Sequence, residues 1–567
     1  MTYGPTGLLL SKTIDPVAPG SPALTSVYTY DAHDRLATVT DPRGRVTSHL
    51  YNERGLLTQV TQPDGSSIVM GYDAYGNKTS QSNELGHTWS WTYNVWRQML
   101  TAVDPLNRST SYEYGLPANC GCGNVGVVGD KPAKITLPSG KVTEFYYDKE
   151  WNLISRIEGA GTVDEAVTLY AYDAEQNLTQ TTDPLGQKWK TTYDSRNRVL
   201  TTVNPKLETV NFSYDAAGNV LSVTDALGRV TTNSYDAMNR LLSSLNANGE
   251  NTQFSYDEGD NLLSMTDAKG NTYTFEYDLL KRKTKMIYPG GGSQEQWSYD
   301  DTAPAGNIWT VYTARDGSTM SCTYDNRGRE TFCDFSDPNT PDVTKTYDVA
   351  GRTLSVSSST ASYAYTYDNA NQLLSENTSY PSVSTVFSVV YTYDADGNRQ
   401  SLTYPSGKVV EYAYTNRNQL KRIESDFKSG QFVAYTYDKN GNRTGKNLDN
   451  NSSTVYAYDI VSRLTSITDS NLNGVFNTLA YTLNAVGNRT AKTQNTVAET
   501  YAYDAIDQVT GVSKPGNTQS FAYDAVGNRT SVTATAPSLA WVPTQPTLSI
   551  NTLRLALKYS CMIRKGI

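Results

Sequence analysis

Few residues of this sequence have the side chains and the spacing that enzyme chemistry needs. Three histidines occur among 567 residues, and His33, His49 and His87 have no fixed distance to a serine or cysteine motif. No Gly-x-Ser-x-Gly, His-Glu-x-x-His or phosphate-loop pattern is present. Aspartates are plentiful, but their spacing singles out no pair for acid–base work. We therefore predict that the chain is not an enzyme and has no catalytic residues.

Two stretches contain the residue types of a metal site. Cys120 and Cys122 could supply two thiolates, but a structural zinc site needs four ligands and no further pair lies near them. A clip between these cysteines, or an inert loop, is the interpretation we favour. The run Asp394–Asn398 places oxygens at alternate positions, as a calcium loop does, yet Glu411 is too far along to complete it. We predict a turn there, and no metal or cofactor.

A second pair of cysteines has a spacing that suits a disulfide. Cys322 and Cys333 flank the turn Asp325–Gly328 almost symmetrically. In a hairpin they would come close to cross-strand positions, where Cβ atoms are about 4.5–5.5 Å apart. Some pairs at such positions can close a disulfide. We expect a Cys322–Cys333 disulfide in an oxidising compartment, the alternative being two free thiols.

The elements that position all these residues follow from a repeat. The dipeptide Tyr-Asp occurs 18 times, and many of its tyrosines are 21 residues apart. A fixed period of this length indicates a stacked repeat architecture, in which each unit needs its neighbours to bury its apolar face. The most regular ladder comprises Tyr172, Tyr193, Tyr214, Tyr235, Tyr256 and Tyr277.

One repeat, Tyr214–Tyr235, contains two turn signals and two short apolar runs. In the turns Asp215–Asn219 and Asp225–Arg229, Asp can accept bonds from backbone amides ahead of it and Gly supplies a positive φ. The runs Val220–Thr224 and Val230–Tyr235 have the composition and partial alternation of half-buried strands. The sequence therefore predicts an all-β protein, a β-solenoid of stacked β-hairpins.

The ladder tyrosines have two interpretations. As structure, each ring would pack on the neighbouring hairpin with its hydroxyl toward water. As a binding site, rows of aromatic rings with Asn and Asp could hold sugars. We favour the structural interpretation, because the tyrosines recur at the same repeat position along the whole array.

Composition and charge narrow the class of protein further. The hydrophobic fraction is 38%, below the roughly 45–50% of ordinary globular domains, which indicates thin layers without a thick core. A net charge of −9 argues against a nucleic-acid partner. No run of 18 apolar residues is present, so we predict no membrane span. The first residues also lack the features of a signal peptide.

The motif Tyr-Asp-x-x-Gly-Asn/Arg-Leu, followed by Thr-Asp-Pro-x-Gly-Arg, resembles the YD repeat of the RHS family, which includes bacterial polymorphic toxins and animal teneurins. The resemblance covers roughly residues 20 to 535, nearly the whole chain. It implies a strand ribbon spiralling into a hollow or partly open shell, which in the bacterial members encloses a toxic C-terminal domain until delivery. The family's core motif, resembling Asp-Pro-x-Gly-x-x-Gly-Gly-x-Asn-x-Tyr, is missing here, so its autoproteolytic aspartates cannot be carried over.

The chain divides by composition into three parts. Residues 1–20 are a partial N-terminal repeat, residues 21–535 are the YD-repeat array with an insertion at 115–131, and residues 536–567 are a non-repeat tail. The tail has neither a Tyr-Asp nor a Gly-Asn and is shorter than a toxin domain needs to bury a core. We expect it to have no fold of its own.

Two functional hypotheses from different classes follow. The first is a non-enzymatic structural shell segment of an RHS-type polymorphic toxin, whose partner is a toxin cargo domain that is absent from this sequence. The second is a cell-surface adhesion module that binds glycans or a surface protein. Both hypotheses make the chain secreted, or place it at the cell surface, through a dedicated export system.

Overall fold

The computed structural model describes residues 1–14, 23–115, 131–300, 303, 306–427 and 431–535. Within these ranges the chain consists of 48 β-strands and their connecting turns, without any helix. The predicted all-β class is confirmed. Cys120, Cys122, most of the insertion and the tail at 536–567 lie outside the described residues.

The strands are short, mostly five to seven residues, and are numbered in chain order. Strands β1 to β16 are Thr2–Tyr3, Leu9–Ile14, Leu24–Tyr30, Leu36–Thr40, Val46–Tyr51, Leu57–Thr61, Ser67–Tyr72, Lys78–Ser82, Thr88–Tyr93, Met99–Val103, Ser109–Glu113, Lys134–Thr136, Val142–Tyr147, Leu153–Glu158, Ala166–Tyr172 and Leu178–Thr182. Strands β17 to β32 are Lys188–Tyr193, Val199–Val203, Thr209–Tyr214, Val220–Thr224, Val230–Tyr235, Leu241–Leu245, Asn251–Tyr256, Leu262–Thr266, Thr272–Tyr277, Lys283–Ile287, Gln294–Tyr299, Ile308–Thr313, Thr319–Tyr324, Glu330–Phe335, Val343–Tyr347 and Thr353–Ser357. Strands β33 to β48 are Ser362–Tyr367, Leu373–Tyr380, Val383–Tyr393, Arg399–Thr403, Val409–Tyr414, Leu420–Ser425, Gln431–Tyr437, Arg443–Leu448, Ser453–Tyr458, Leu464–Asn471, Gly474–Leu483, Arg489–Gln494, Val497–Tyr503, Val509–Lys514, Asn517–Tyr523 and Arg529–Ala534.

All strands belong to one ribbon. Each strand pairs antiparallel with its neighbours in sequence, from β1–β2 to β47–β48. Among the described residues no strand packs against a strand that is not its neighbour, and β1 does not pair with β48. The sheet is therefore a single layer that is not closed into a barrel, which confirms the predicted solenoid of stacked hairpins.

The turns form for the reason that their sequence suggests. Asp225 Oδ1 accepts hydrogen bonds from the backbone N–H groups of Leu227 and Arg229, at 2.9 and 3.0 Å. Gly228 takes φ 79°, a left-handed conformation that costs glycine little because it has no Cβ. These five residues thus reverse the chain direction, form hydrogen bonds to two of their own backbone amides and lead into the next strand.

Strand alternation gives the ribbon two chemically different faces. The tyrosine face carries the ladder tyrosines, such as Tyr235, and is half-buried. The opposite face, which we call the hydroxyl face, carries serine and threonine pairs such as Ser234 and Ser243, whose Oγ atoms are 2.6 Å apart. Only nine hydrophobic side chains of the described residues are buried. The ribbon is therefore a thin wall, whose side chains are shielded by their neighbours along it.

The two edges of the ribbon carry different turns. Turns that follow the ladder tyrosines lie along one edge, the Tyr-Asp edge, and the remaining turns lie along the opposite edge. Opposite-edge residues contact Tyr-Asp-edge residues about 255 positions later, as Lys269 contacts Asp524 at 3.1 Å and Asn248 contacts Asp504 at 3.1 Å. The turns that meet are 23 strands apart, since Asn248 follows β22 and Asp504 follows β45. The ribbon therefore coils on itself, edge against edge.

We call residues before Asp300 the first coil, residues from Asp300 onward the second coil, and their line of contact the seam. At about 4.8 Å per strand, 23 strands give a circumference of about 110 Å and a diameter of about 35 Å. Side chains about 5 Å deep on the inner face would leave a lumen roughly 25 Å wide. The wall has the geometry of a tube of two coils.

Small-angle X-ray scattering of the purified chain should detect that tube. We expect a pair-distance distribution of a hollow cylinder, with a wall-to-wall diameter of about 35 Å, because the described strands form a coil of one layer. A distribution that fits a solid globule of the same mass would contradict the described coil.

Candidate functional surface: the tyrosine face and the seam

The ladder tyrosines bind the preceding repeat through their hydroxyl groups. Tyr214 Oη donates to the backbone carbonyl of Val199 at 2.8 Å, and Val199 begins the first strand of the previous repeat. Burial raises the pKa of Tyr347, the tyrosine of a later Tyr-Asp pair, to about 12. The same bond is made by Tyr172 to Leu153, Tyr193 to Leu178, Tyr235 to Val220 and Tyr256 to Leu241, at 2.8 to 3.1 Å.

This geometry corrects one expectation. The hydroxyls were predicted to point to water, but they point along the ribbon to a carbonyl that is already part of the wall. Because burial disfavours the charged phenolate, it also raises the pKa of Tyr172 and Tyr277. These contacts fit the structural interpretation of the ladder, which nevertheless stays a prediction.

An arginine at the end of many Tyr-Asp-edge turns links each repeat to the next. Arg198 Nε donates to Asp194 Oδ2 at 2.7 Å, its Nη1 donates to the carbonyl of Asp215 at 2.9 Å, and its guanidinium lies 4.5 Å from the ring of Tyr214. The Arg198 hydrogen bond lowers the pKa of Asp194 to about 2. Arg240 and Arg352 make the same three contacts. Each binds the Asp of its own turn, the carbonyl of the next Tyr-Asp aspartate and the ring of the next tyrosine.

The seam is polar along most of its length. Arg229 Nη1 is 2.7 Å from Asp507 Oδ1, and Arg463 Nη2 is 3.1 Å from Glu208 Oε1. Further seam contacts join Arg327 to Glu84, Lys206 to Asp459, Asn440 to Asp183, Arg108 to Gln372 and Asn416 to Asp164. The seam can thus select one register of the two coils through charge and hydrogen-bond complementarity.

Asp396, considered above as part of a calcium-like loop, belongs to the seam. Its Oδ2 lies 2.8 Å from Lys141 Nζ and 2.6 Å from Ser139 Oγ. Burial works to raise its pKa, but the hydrogen bonds from Lys141 and Ser139 lower it overall. Asp394 holds its own turn through the amides of Asp396 and Asn398. Both carboxylates are thus engaged in hydrogen bonds with other groups of the protein.

The seam begins at an aromatic stack. The Arg43 guanidinium of the first coil lies 4.0 Å from the Trp309 ring of the second coil, and Trp309 stacks on Tyr324 with centroids 4.9 Å apart. Arg43 Nη2 also donates to the carbonyl of Asp300 at 2.9 Å. Trp309 is 4% exposed, so its ring is almost fully buried although the wall is a single layer.

Cys322 and Cys333 lie beside that stack. They are directly opposite in β29 and β30, with Cα atoms 4.2 Å and Sγ atoms 1.99 Å apart. Each is 1% exposed. A carboxylate oxygen of Glu330 is close enough to form a three-ligand cluster with them, but Glu330 also binds Lys345. Bonded sulfurs offer no thiolate to a metal, so the disulfide remains the prediction for this pair.

The structure does not bring the other candidate residues together. His33 lies in a Tyr-Asp-edge turn, His49 in β5 and His87 at the end of an opposite-edge turn. Cys120 and Cys122 lie outside the described residues. Sequence reasoning missed the seam, because its partners are about 255 residues apart and no local pattern links them. Among the described residues, no helix has the length and apolarity that crossing a membrane requires.

Comparisons with known proteins agree with this architecture. A model of the teneurin YD-shell matches residues 170–382, and a model of the RHS repeat matches residues 30–67 and 503–537. The crystal structure of TcdB2-TccC3-Cdc42 is similar at 13% identity and a TM-score of 0.64, over 90% of this chain and 34% of that chain. The crystal structure of TcdB2-TccC3 without its hypervariable C-terminal region is similar at 14% identity and a TM-score of 0.65, over 91% of this chain and 34% of that chain.

At these identities the likeness to the solved structures shows the fold alone. This chain spans about a third of the length of those chains. A comparison with curated proteins finds no match.

Replacing one ladder hydroxyl should loosen the wall locally. In Tyr214→Phe the ring and its contact with Arg198 stay, but the carbonyl of Val199 loses its donor. We expect the local opening free energy of β18 and β19, measured by amide hydrogen exchange, to fall by about 0.5–1.5 kcal/mol. The matched control is Tyr75→Phe, at a side chain that is 61% exposed. Equal exchange in both variants would contradict the structural role of the ladder hydroxyl.

The cysteine pair can be tested by alkylation. The chain, purified without reductant and unfolded in the presence of an alkylating reagent, should show no label on Cys322 or Cys333 by peptide mass spectrometry. Adding reductant should expose both, because the two cysteines are directly opposite each other in β29 and β30. The variant Cys322→Ser should leave Cys333 open to label. Full alkylation of both residues without reductant would rule the disulfide out.

Proposed function

Because the chain belongs to the RHS/YD-repeat family, we propose that it is a non-enzymatic wall segment of an RHS-type polymorphic toxin shell. Its partner would be a toxin cargo domain carried by another part of the assembly. The wall would enclose or present that domain until delivery. We also propose that the protein acts outside the cell, secreted or at the cell surface through a dedicated export system.

The observation that carries this proposal is a one-layer wall that meets itself edge to edge. One face of the coiled sheet is turned to the inside of the tube and the other to the outside. The seam keeps neighbouring coils in contact through pairs such as Lys141 with Asp396. Neither the three histidines nor the seam carboxylates form a catalytic arrangement in the described residues. Containment is therefore the function that the geometry supports best.

The size of the lumen bears on the state of the cargo. A folded domain of 100 residues has a radius of gyration of about 13 Å, so it is roughly 30 Å or more across. A lumen roughly 25 Å wide is too narrow for such a domain. A tube of these dimensions would hold a cargo chain in an unfolded or partly folded, and hence inactive, form.

A cavity on the seam favours the second hypothesis, a glycan-binding module. It has a volume of about 230 Å³ and is lined by Trp89, Trp91, Asp104, Arg108 and Asp396 among others. Aromatic rings beside carboxylates can hold the apolar and hydroxyl faces of a sugar. However, Asp104 already binds Arg108 and Asp396 binds Lys141, which leaves few free acceptors. We rank adhesion below containment for this reason.

Protease protection tests containment. An unfolded reporter of about 60 residues, fused to the C-terminus of the full chain, should be digested slowly by a protease wider than a lumen of roughly 25 Å. In the variant Arg229→Gln/Lys269→Gln/Arg463→Gln, three seam cations are lost. We expect digestion of the reporter to become at least about tenfold faster, because the seam opens more often where these three contacts are lost.

The matched control removes three exposed cations that lie away from the seam, in the variant Lys12→Gln/Lys149→Gln/Lys514→Gln. The control should protect the reporter as the parent does. Equal digestion of the reporter in all three proteins would overturn containment. Micromolar binding of a defined sugar on a glycan array, abolished by Trp91→Ala, would favour the adhesion module instead.

A further inference from the structure

One hairpin of the seam contains both cysteines of the described residues. Strands β29 and β30 are joined by the turn Asp325–Arg329, which lies on the Tyr-Asp edge of the second coil. Cys322 in β29 is directly opposite Cys333 in β30. No other seam hairpin in the described ranges contains a cysteine. We call residues 319–335 the cysteine hairpin.

The turn of the cysteine hairpin is in close contact with the first coil. Arg327 Nη2 lies 2.8 Å from Glu84 Oε1, and the two side chains are 16% and 7% exposed. Arg327 Nη1 also lies 3.8 Å from Asp64 Oδ2. The backbone of Gly328 approaches the first coil so closely that an added Cβ would lie 2.9 Å from Arg45 Nη1. The turn is thus packed against three side chains of the first coil.

The aromatic stack at the beginning of the seam rests on the same hairpin. Tyr324, the last residue of β29, stacks on Trp309, and the guanidinium of Arg43 lies over the Trp309 ring. Cys322 lies two residues before Tyr324. It pairs with Thr310, which follows Trp309 in β28. A displacement of β29 would therefore move the stack that Arg43 contacts.

The cysteine hairpin is held weakly on its other side. Within residues 306–427, β30 pairs with β31 through Phe332 and Cys333 alone, whereas it pairs with β29 along nearly its whole length. No second layer of the described residues lies behind β30. Separation of β29 from β30 would therefore leave β30 with few contacts to keep it in place.

We propose that the cysteine hairpin is a thiol-sensitive latch of the seam: the Cys322–Cys333 disulfide keeps its turn against the first coil, and reduction of the disulfide releases the turn. A disulfide restricts the opened states of the segment that it closes, so the hairpin opens less often while the link is intact. The proposal rests on the disulfide predicted above. It does not depend on what the shell contains.

The reductant is a small thiol of the glutathione class. Its thiolate attacks one sulfur of the disulfide, forms a mixed disulfide with that cysteine and expels the other cysteine as a thiolate, which takes up a proton. A second thiolate attacks the thiol-derived sulfur of the mixed disulfide, frees the remaining cysteine and forms the oxidised dimer of the small thiol. Two small thiols thus supply the two electrons, and both cysteines end as thiols.

Burial makes the disulfide and the seam depend on each other. Cys322 and Cys333 are each 1% exposed, so a thiol reaches a sulfur only when the hairpin opens. Seam contacts such as Arg327 with Glu84 oppose that opening, and the disulfide in turn opposes the opening of the seam. Coupling of this kind is reciprocal. Loss of the disulfide should loosen the seam, and loss of a seam contact should speed reduction of the disulfide.

Amide hydrogen exchange of the full chain, with and without reduced glutathione, tests the first direction. We expect exchange in the turns 325–329 and 83–87 to rise at least about tenfold once the cysteine pair is reduced, because these two turns meet at this part of the seam. The turns 225–229 and 504–508 meet at a distant part of the seam and are the internal control. Their exchange should stay the same.

The variant Cys322→Ala/Cys333→Ala shows whether the thiol acts through this pair. Without any thiol it should already exchange as fast as the reduced parent in the turns 325–329 and 83–87. Adding glutathione should change nothing further, because the variant has no disulfide to reduce at this position. A thiol effect of equal size in the parent and in this variant would contradict the latch.

The rate of reduction tests the reverse direction without changing either cysteine. In Glu84→Gln the Arg327 guanidinium loses a buried, charged partner. We expect glutathione to reduce the disulfide at least about fivefold faster in this variant, as measured by timed alkylation and peptide mass spectrometry. The matched control is Glu208→Gln, which removes the partner of Arg463 at a distant part of the seam. It should be reduced at the rate of the parent.

Together these measurements decide the proposal. Faster exchange at the cysteine hairpin after reduction, with faster reduction in Glu84→Gln alone, supports it. Alkylation of both cysteines before any thiol is added would overturn it, and so would a disulfide that glutathione does not reduce in the folded chain. Unchanged exchange in the turns 325–329 and 83–87 after reduction, or equal reduction rates in Glu84→Gln and Glu208→Gln, would also overturn it.

Discussion

In the part of the chain that the structure describes, the wall has no second layer behind it, so each hairpin depends on contacts along the ribbon and across the seam. In a two-layer fold, apolar side chains would be buried between sheets and would dominate stability. Here the ladder tyrosine does several tasks at once. Its ring covers part of the neighbouring hairpin, its hydroxyl binds a carbonyl of the previous repeat, and in many repeats it receives an arginine from the preceding turn. Shielding and specificity therefore come from the same side chain.

The polar seam follows from the same constraint. If the seam were apolar, a ribbon that had not yet coiled would expose two apolar edges. Exposed apolar edges promote aggregation. Exposed ion pairs contribute at most about 1 kcal/mol each, so the seam gains its strength from many weak contacts. Asp396, whose side chain is 2% exposed beside Lys141, is different. Removing the partner of such a buried charge costs about 3–5 kcal/mol, which makes this pair suited to fixing the register of the coils.

The local parts of this structure could be predicted from the sequence, and the long-range parts could not. The turn Asp225–Arg229 and the strands beside it follow from residue types within a few positions of each other. The position of Cys333 across a hairpin from Cys322 could be predicted for the same reason. By contrast, nothing local shows that Arg229 meets Asp507, because that contact depends on how many strands complete one coil. The hydroxyl of Tyr214 was assigned wrongly because its acceptor, the carbonyl of Val199, belongs to another repeat.

The turns that meet at the seam mostly have the same length. Opposite-edge turns of the first coil, such as Asp225–Arg229 and Asp267–Asn271, mostly share one short form, and so do the Tyr-Asp-edge turns of the second coil that meet them. The longer hairpins, β34–β35 and β42–β43, turn at the opposite edge of the second coil. The insertion at 115–131 follows β11, at the Tyr-Asp edge of the first coil. The number of strands sets which turns meet, so length changes at the two edges outside the seam, the Tyr-Asp edge of the first coil and the opposite edge of the second, leave the coil contacts unchanged. The looser Tyr-Asp spacing after Tyr277 therefore reflects the position of those loops in the coil, and the architecture continues unchanged through it.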